Sequence, residues 1–162
     1  MVKNLVWTLV VVAGLFLANP SKGALGWTWD ECQQHWGKPL LSETDSDGLF
    51  TANFEAQGLS IMVCLTDGKV VRVAYKPPHH EFTKGEIVTL QKANAISPSA
   101  TWIFTRKDES TENYEWQLRE DPNKTDFIAI AIFIVKMNAF VVATEADNQR
   151  AKNASTQKAS GL

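Results

Sequence analysis

Catalysis needs a nucleophile with a base, paired acids or a metal, and this sequence places few residues at spacings that fit. There are three histidines, His35, His79 and His80, and two cysteines, Cys32 and Cys64. His79 and His80 follow Pro77-Pro78 and precede Glu81. Neighbouring side chains of an extended segment point apart, so these two do not converge on one metal, and a third ligand would have to come from His35. Exposed linker polarity is the simpler account of both. Cys32 and His35 share a helical face at i, i+3, yet Cys32 also sits on an apolar stripe, where thiols are inert. Asp45-Ser46-Asp47-Gly48 has the start of a calcium loop, but position 12 would be Ala56, with Glu55 one residue early, so a turn is expected. No Gly-x-Ser-x-Gly, phosphate-binding glycine loop or His-Glu-x-x-His occurs. No catalytic, metal or cofactor residue is therefore assigned. The alternative is a small envelope enzyme whose site is not recognisable from sequence.

The elements that would position any site are clearer. Thr28 followed by Glu31 is a capping box, with Trp27 ahead of it as a staple. The helix it starts should run to Trp36 and stop at Gly37, with Pro39 beyond. Trp29, Cys32 and Trp36 recur at i, i+3, i+7, so the stripe is expected to pack into a core rather than to serve as a ligand platform. Strands follow at 49–55, 59–66 and 69–75, the last two joined by Asp67-Gly68, the preferred two-residue hairpin turn. That turn sets Thr66 opposite Lys69, Cys64 opposite Val71 and Met62 opposite Val73. One face then holds Met62, Cys64, Val71, Val73 and Tyr75. The other holds Ile61, Val63, Leu65, Val70, Arg72 and Ala74, and because it carries the charge the helix is assigned to the first. Cys64 would then point at Cys32.

The device recurs. Phe82-Thr83-Lys84-Gly85-Glu86 is again staple, cap and Glu, starting a helix that should end near Asn94. Strands are expected at 101–105, 114–119, 127–135 and 139–144, with a turn at Met137-Asn138. The uncharged 127–135 segment should be covered on both faces. The fold class expected is α+β, two helix-plus-antiparallel-meander units in tandem, at 24–76 and 82–144, joined by a linker at 77–81. The polar 145–162 tail is read as a short frayed helix or a disordered end. Sequons at Asn123-Lys124-Thr125 and Asn153-Ala154-Ser155 are read as accidental matches.

Residues 1–23 have a lysine near the start, an uncharged run of 14 residues from Leu5 to Ala18, and small residues at Ser21 and Gly23. The run is too short for a membrane span of roughly 20 residues, and the pattern is that of a secretory signal peptide. Localisation is therefore expected to be periplasmic or extracellular, without stable membrane insertion after cleavage. Cleavage removes Lys3 and Lys22 and no acid, leaving 14 basic and 18 acidic residues, a net charge of −4. No basic stripe exists, which excludes nucleic acid as a partner. In an oxidising compartment a Cys32–Cys64 disulfide is expected, two buried free thiols being the alternative.

Gly26-x-Thr28-x3-Cys32-x3-Trp36-Gly37-x-Pro39 resembles the first helix of the SmpA/OmlA-type, or BamE-like, domain, and Ile61 to Val73 is similar to that family's terminal hairpin. The resemblance covers residues 26–75. It implies a small helix-plus-sheet fold. Cys32 and Trp36 stand where that family has aliphatic residues, and no cysteine is placed for lipid attachment, so a role in outer-membrane assembly is not carried over. The tandem arrangement is similar to that of the beta-lactamase inhibitor protein, and the whole chain resembles small exported bacterial proteins of unassigned function.

Together these features lead to the expectation of an exported, non-catalytic protein-binding module, an inhibitor-like one included, without cofactor, whose partner is another exported or envelope protein. The partner face expected is Ile61, Val63, Leu65, Val70, Arg72 and Ala74, unless the second half or a fellow subunit covers it.

Overall fold

A computed structural model describes residues 23–46 and 48–159. Residues 1–22, which hold nearly all of the expected signal peptide 1–23, lie outside the described residues, as do Asp47 and residues 160–162. The element order is α1 (Trp29–Trp36), β1 (Leu41–Thr44), β2 (Phe50–Ala56), β3 (Leu59–Thr66), β4 (Lys69–Lys76), α2 (Lys84–Ala93), β5 (Thr101–Lys107), β6 (Tyr114–Arg119), β7 (Ala129–Ile134), a 3-10 turn at Val135–Met137, β8 (Ala139–Thr144) and α3 (Glu145–Ala159). The class is α+β. All eight strands form one antiparallel sheet in the order β1-β2-β3-β4-β8-β7-β6-β5. The two expected meanders are thus a single sheet, joined where β4 pairs with β8 (Val73 opposite Val142, Tyr75 opposite Phe140). One apolar core runs beneath both, from Phe54 and Val63 through Val73 and Phe140 to Leu118.

Both capping boxes form. Thr28 Oγ1 accepts from the Glu31 N–H while Glu31 Oε2 accepts from the Thr28 N–H, and Thr83 and Glu86 do the same. The reciprocal bonds satisfy donors that a helix N-terminus otherwise leaves open. They also hold both glutamates below the usual carboxylate range, the Thr83 N–H being the largest cause for Glu86, which falls to about 2. α1 ends at Gly37, whose φ of 80° suits glycine. Its stripe packs on β2, with Trp29 edge-on to Phe50 at 4.9 Å and Trp36 against Phe54 at 5.4 Å.

The β3–β4 hairpin departs from the simple register. Thr66 pairs with Lys69 and Leu65 with Val70, but Cys64 pairs with Arg72. Val71 is an extra residue, a bulge, and every β4 side chain beyond it changes face relative to β3. Ile61, Val63, Leu65, Val70, Val73 and Tyr75 therefore lie together under the helices, buried. Met62, Cys64, Arg72 and Ala74 lie on the opposite face.

The C-terminal segment forms a fifteen-residue helix, α3, which packs on β4, β7 and β8. The uncharged segment expected as one strand at 127–135 is a strand only at 129–134, then turns through Asn138 at φ 48°. Asn138 ties that turn to the 77–81 segment, donating to the His80 carbonyl at 2.7 Å and accepting from the Phe82 N–H at 3.0 Å. Among the described residues no helix is long and apolar enough to cross a membrane.

Candidate binding face and aromatic cleft

Residues with chemical potential lie apart. His35 is exposed and stacked on Trp27 at 4.3 Å. His80 bonds Glu86 at 2.9 Å, and His79 is exposed. Among the described residues no three His, Cys, Asp or Glu side chains converge. Asp45 accepts from the Leu49 N–H at 2.8 Å, closing the turn expected there.

Cys32 and Cys64 are two buried free thiols, not a bridge. The bulge explains the correction. Cys32 joins the helix-side core with Val63 and Tyr75, while Cys64 alternates with Val63 and faces away. Cys64 accepts from Thr51 Oγ1 at 3.8 Å on the side where Arg72 and Asp147 stand. Burial pushes the Cys32 thiol up to about 12 and raises Cys64, so neither is an activated nucleophile.

The six residues expected as one partner face are divided by the same bulge. Ile61, Val63, Leu65 and Val70 are interior, packed beneath the α1 and α2 face. Arg72 and Ala74 are on the other face. Arg72 is not a lone surface cation. Its Nε donates to Asp147 Oδ2 at 2.7 Å, with Nη2 in ion-pair contact with the same oxygen at 2.6 Å, and Asp147, buried in α3, also takes a bond from Arg150.

Two rows of directly paired residues cross this opposite face. One row, Cys64, Arg72, Ala143 and Ile130, lies where α3 packs, and Cys64, Ala143 and Ile130 are buried. The other, Met62, Ala74, Val141 and Ile132, remains half-buried. Four strands at about 4.8 Å spacing make it an apolar stripe roughly 15 Å wide. Its continuation over β6 and β5 is Glu115 and Arg106, paired at 3.0 Å.

No family model matches the sequence. A search of curated proteins likewise returns no match. Among solved structures the chain is similar to an extracellular protein containing a SCP domain from Bacillus anthracis str. Ames, at 13% identity and a TM-score of 0.42, over 90% of this chain and 50% of that one. The chain thus spans about half the length of that protein, and a likeness this distant carries no argument about site or activity.

On the helix side, the second half is less fully covered than the first. α1 brings Trp29 and Trp36 onto β2, whereas α2, KGEIVTLQKA, contains no aromatic residue. α2 is held at its two ends. Phe82 meets Phe133 edge-on at 6.1 Å, and Asn94 donates to Tyr75 Oη at 3.1 Å while Trp102 Nε1 donates to the Gln91 carbonyl at 2.7 Å. Between them an open cavity of about 470 Å³ is lined by Phe82, Ile87, Gln91, Tyr114, Trp116 and Phe133. Phe104, 53% exposed, extends this aromatic surface toward the β5 edge, 5.9 Å from Trp116. The sequence signal for it was aromatic alternation, Trp102 with Phe104 and Tyr114 with Trp116, on two strands that pair Phe104 with Trp116.

Proposed function

We propose that the protein is an exported, non-catalytic binding module that holds another exported or envelope protein against the sheet face opposite α1 and α2. The observation that carries this is the half-buried stripe Met62, Ala74, Val141 and Ile132, left open beside α3 and bordered by the Glu115–Arg106 pair. An apolar centre with a charged rim is the anatomy of a protein–protein contact. Export rests on the signal-like pattern of residues 1–23.

Within the same proposal, 24–76 and 82–144 are two copies of one helix-plus-four-strand unit. Two reciprocal capping boxes and a strand order that mirrors about the β4–β8 junction support it. The BamE-like resemblance concerns the first unit alone and contributes fold, not activity.

Val141→Glu tests the proposal. A charge on a half-buried position of a central strand should cost about 1–2 kcal/mol, which a folded domain tolerates. The variant should remain folded and lose the partner recovered with the unaltered protein from envelope extract. Recovery of the same partner by a folded Val141→Glu variant would remove this face from the account.

A further inference from the structure

Gly23 is buried against the C-terminal end of α2. A β-carbon at this position would stand 2.0 Å from the Ala93 carbonyl oxygen and 2.0 Å from Asn94 Cα, both backbone atoms that no rotamer change moves. Only glycine lets the chain approach the end of α2 this closely. The residues that follow are held as firmly. Ala24 is 2% exposed and Leu25 5%, and both belong to the core beneath the helices. The Gly26 N–H donates to the Val70 carbonyl at 2.8 Å, and the Val70 N–H donates to the Trp27 carbonyl at 2.8 Å. Trp27 stacks on His35 at 4.3 Å and lies 5.2 Å from Trp36. Residues 23–27 thus fasten the end of α2 to β4 and to α1, whereas a chain end with no structural task is seldom tied down in this way.

Ser21 and Gly23 form the small-x-small pair that places an export cut after Gly23. Packing makes the opposite demand of this glycine. A cut there removes the residue that meets α2 and leaves the new ammonium on Ala24. Ala24 lines a cavity of about 120 Å³ with Trp27, Trp36, Tyr75 and Leu90, and no carboxylate lines it. A charge in such surroundings is costly. A chain that begins ahead of Gly23 keeps the contact and carries its ammonium on a residue other than Ala24.

We infer that export processing cuts ahead of Gly23, after Ala18 or after Ser21, the small residues at and beyond the end of the apolar run, and that Gly23 is retained in the mature protein as the contact that fastens its N-terminal segment to α2. The step is hydrolysis of one peptide bond by a signal peptidase. Water is consumed, the new carboxylate leaves on Ala18 or Ser21, and the new amine stays on Asn19 or Lys22. The inference rests on the export reading and moves its boundary.

The test is N-terminal sequencing, with intact mass, of the protein purified from its native host. The expected first residue is Asn19 or Lys22. Ala24 as first residue overturns the inference and leaves the export reading standing, whereas an intact Met1 overturns both. Two chains, released from a cleavable fusion to begin at Asn19 and at Ala24, are then compared. The chain from Ala24 should melt about 3 °C or more below the longer one, and its Gly26 and Val70 amides should exchange about fivefold faster. Gly23→Ala in the longer chain should produce the same losses, because the added carbon meets the backbone of Ala93 and Asn94. Equal melting and exchange in the two chains, or a neutral Gly23→Ala, overturns the inference.

Discussion

Asp147→Ala should release α3 from the sheet. The Asp147 side chain is 1% exposed and accepts one bond from Arg72, which also pairs with it through Nη2, and one from Arg150; the two arginine side chains are 27% and 40% exposed. Hydrogen bonds to charged groups contribute about 1.5–3 kcal/mol each, and breaking a fully buried pair costs about 3–5 kcal/mol. Both arginines can rehydrate once the carboxylate is gone, which places the expected loss at the low end, about 3 kcal/mol. α3 has little apolar anchorage of its own, so the loss should fall on α3 docking before it reaches the sheet. A 3 kcal/mol change raises the open population of α3 about 150-fold. Amide exchange over 145–156 should accelerate by that order, trypsin should cut after Arg150, and the β4 and β8 amides should remain protected. Unchanged exchange in α3, with unchanged trypsin sensitivity, would refute the view that this cluster holds the helix. Arg72→Glu should be worse, because it sets a second carboxylate against Asp147.

Further outcomes follow from the same structure. Both thiols should react with Ellman's reagent in denatured, unreduced protein, and Cys32 should be inert in the native state; zero thiols after denaturation would contradict the free-thiol arrangement. Phe54→Ala, at a core position 1% exposed between Trp29 and Trp36, should cost about 3–5 kcal/mol in denaturant unfolding. Glu31 and Glu86 have folded pKa values depressed below the ordinary 4.5, so their contribution is present above that value and is lost as pH falls through the depressed value, about 2 for Glu86. Amides of the first turns of α1 and α2 should lose exchange protection over that window, and in Glu31→Gln with Glu86→Gln the pH dependence there should flatten.

Local chemistry made the helices and hairpins legible. Thr28 with Glu31 and Thr83 with Glu86 announced both helix starts, Gly37 one helix end, and Asp67-Gly68 the turn, whose two positive φ values are those such a turn requires. Parity across β4 was not legible. The turn fixes the register only as far as Val70, and the single extra residue Val71 exchanges the two faces beyond it. That one bulge both separates Cys64 from Cys32 and sinks four of the six residues expected at a partner face. A helix was one of the two readings of the C-terminal segment, but the docking of α3 was hidden for a different reason. Its sequence has no apolar stripe, and its anchor is an ion pair between residues 75 positions apart, which no local pattern reports. The aromatic cleft needed two facts together, aromatic alternation on β5 and β6 and the lack of any aromatic in α2, and only the strand pairing brings them to one place.

The central claim concerns the face where Met62, Ala74, Val141 and Ile132 meet. Its most direct measurement is site-specific photo-crosslinking in intact cells of the native host, with the photoreactive residue at Val141, at Met62, or at Gln33 on the exposed side of α1. The account predicts one discrete adduct to the same envelope protein from Val141 and Met62, and none from Gln33. No adduct from either sheet position, an adduct only to a second copy of this chain, or the same adduct from Gln33 would contradict it.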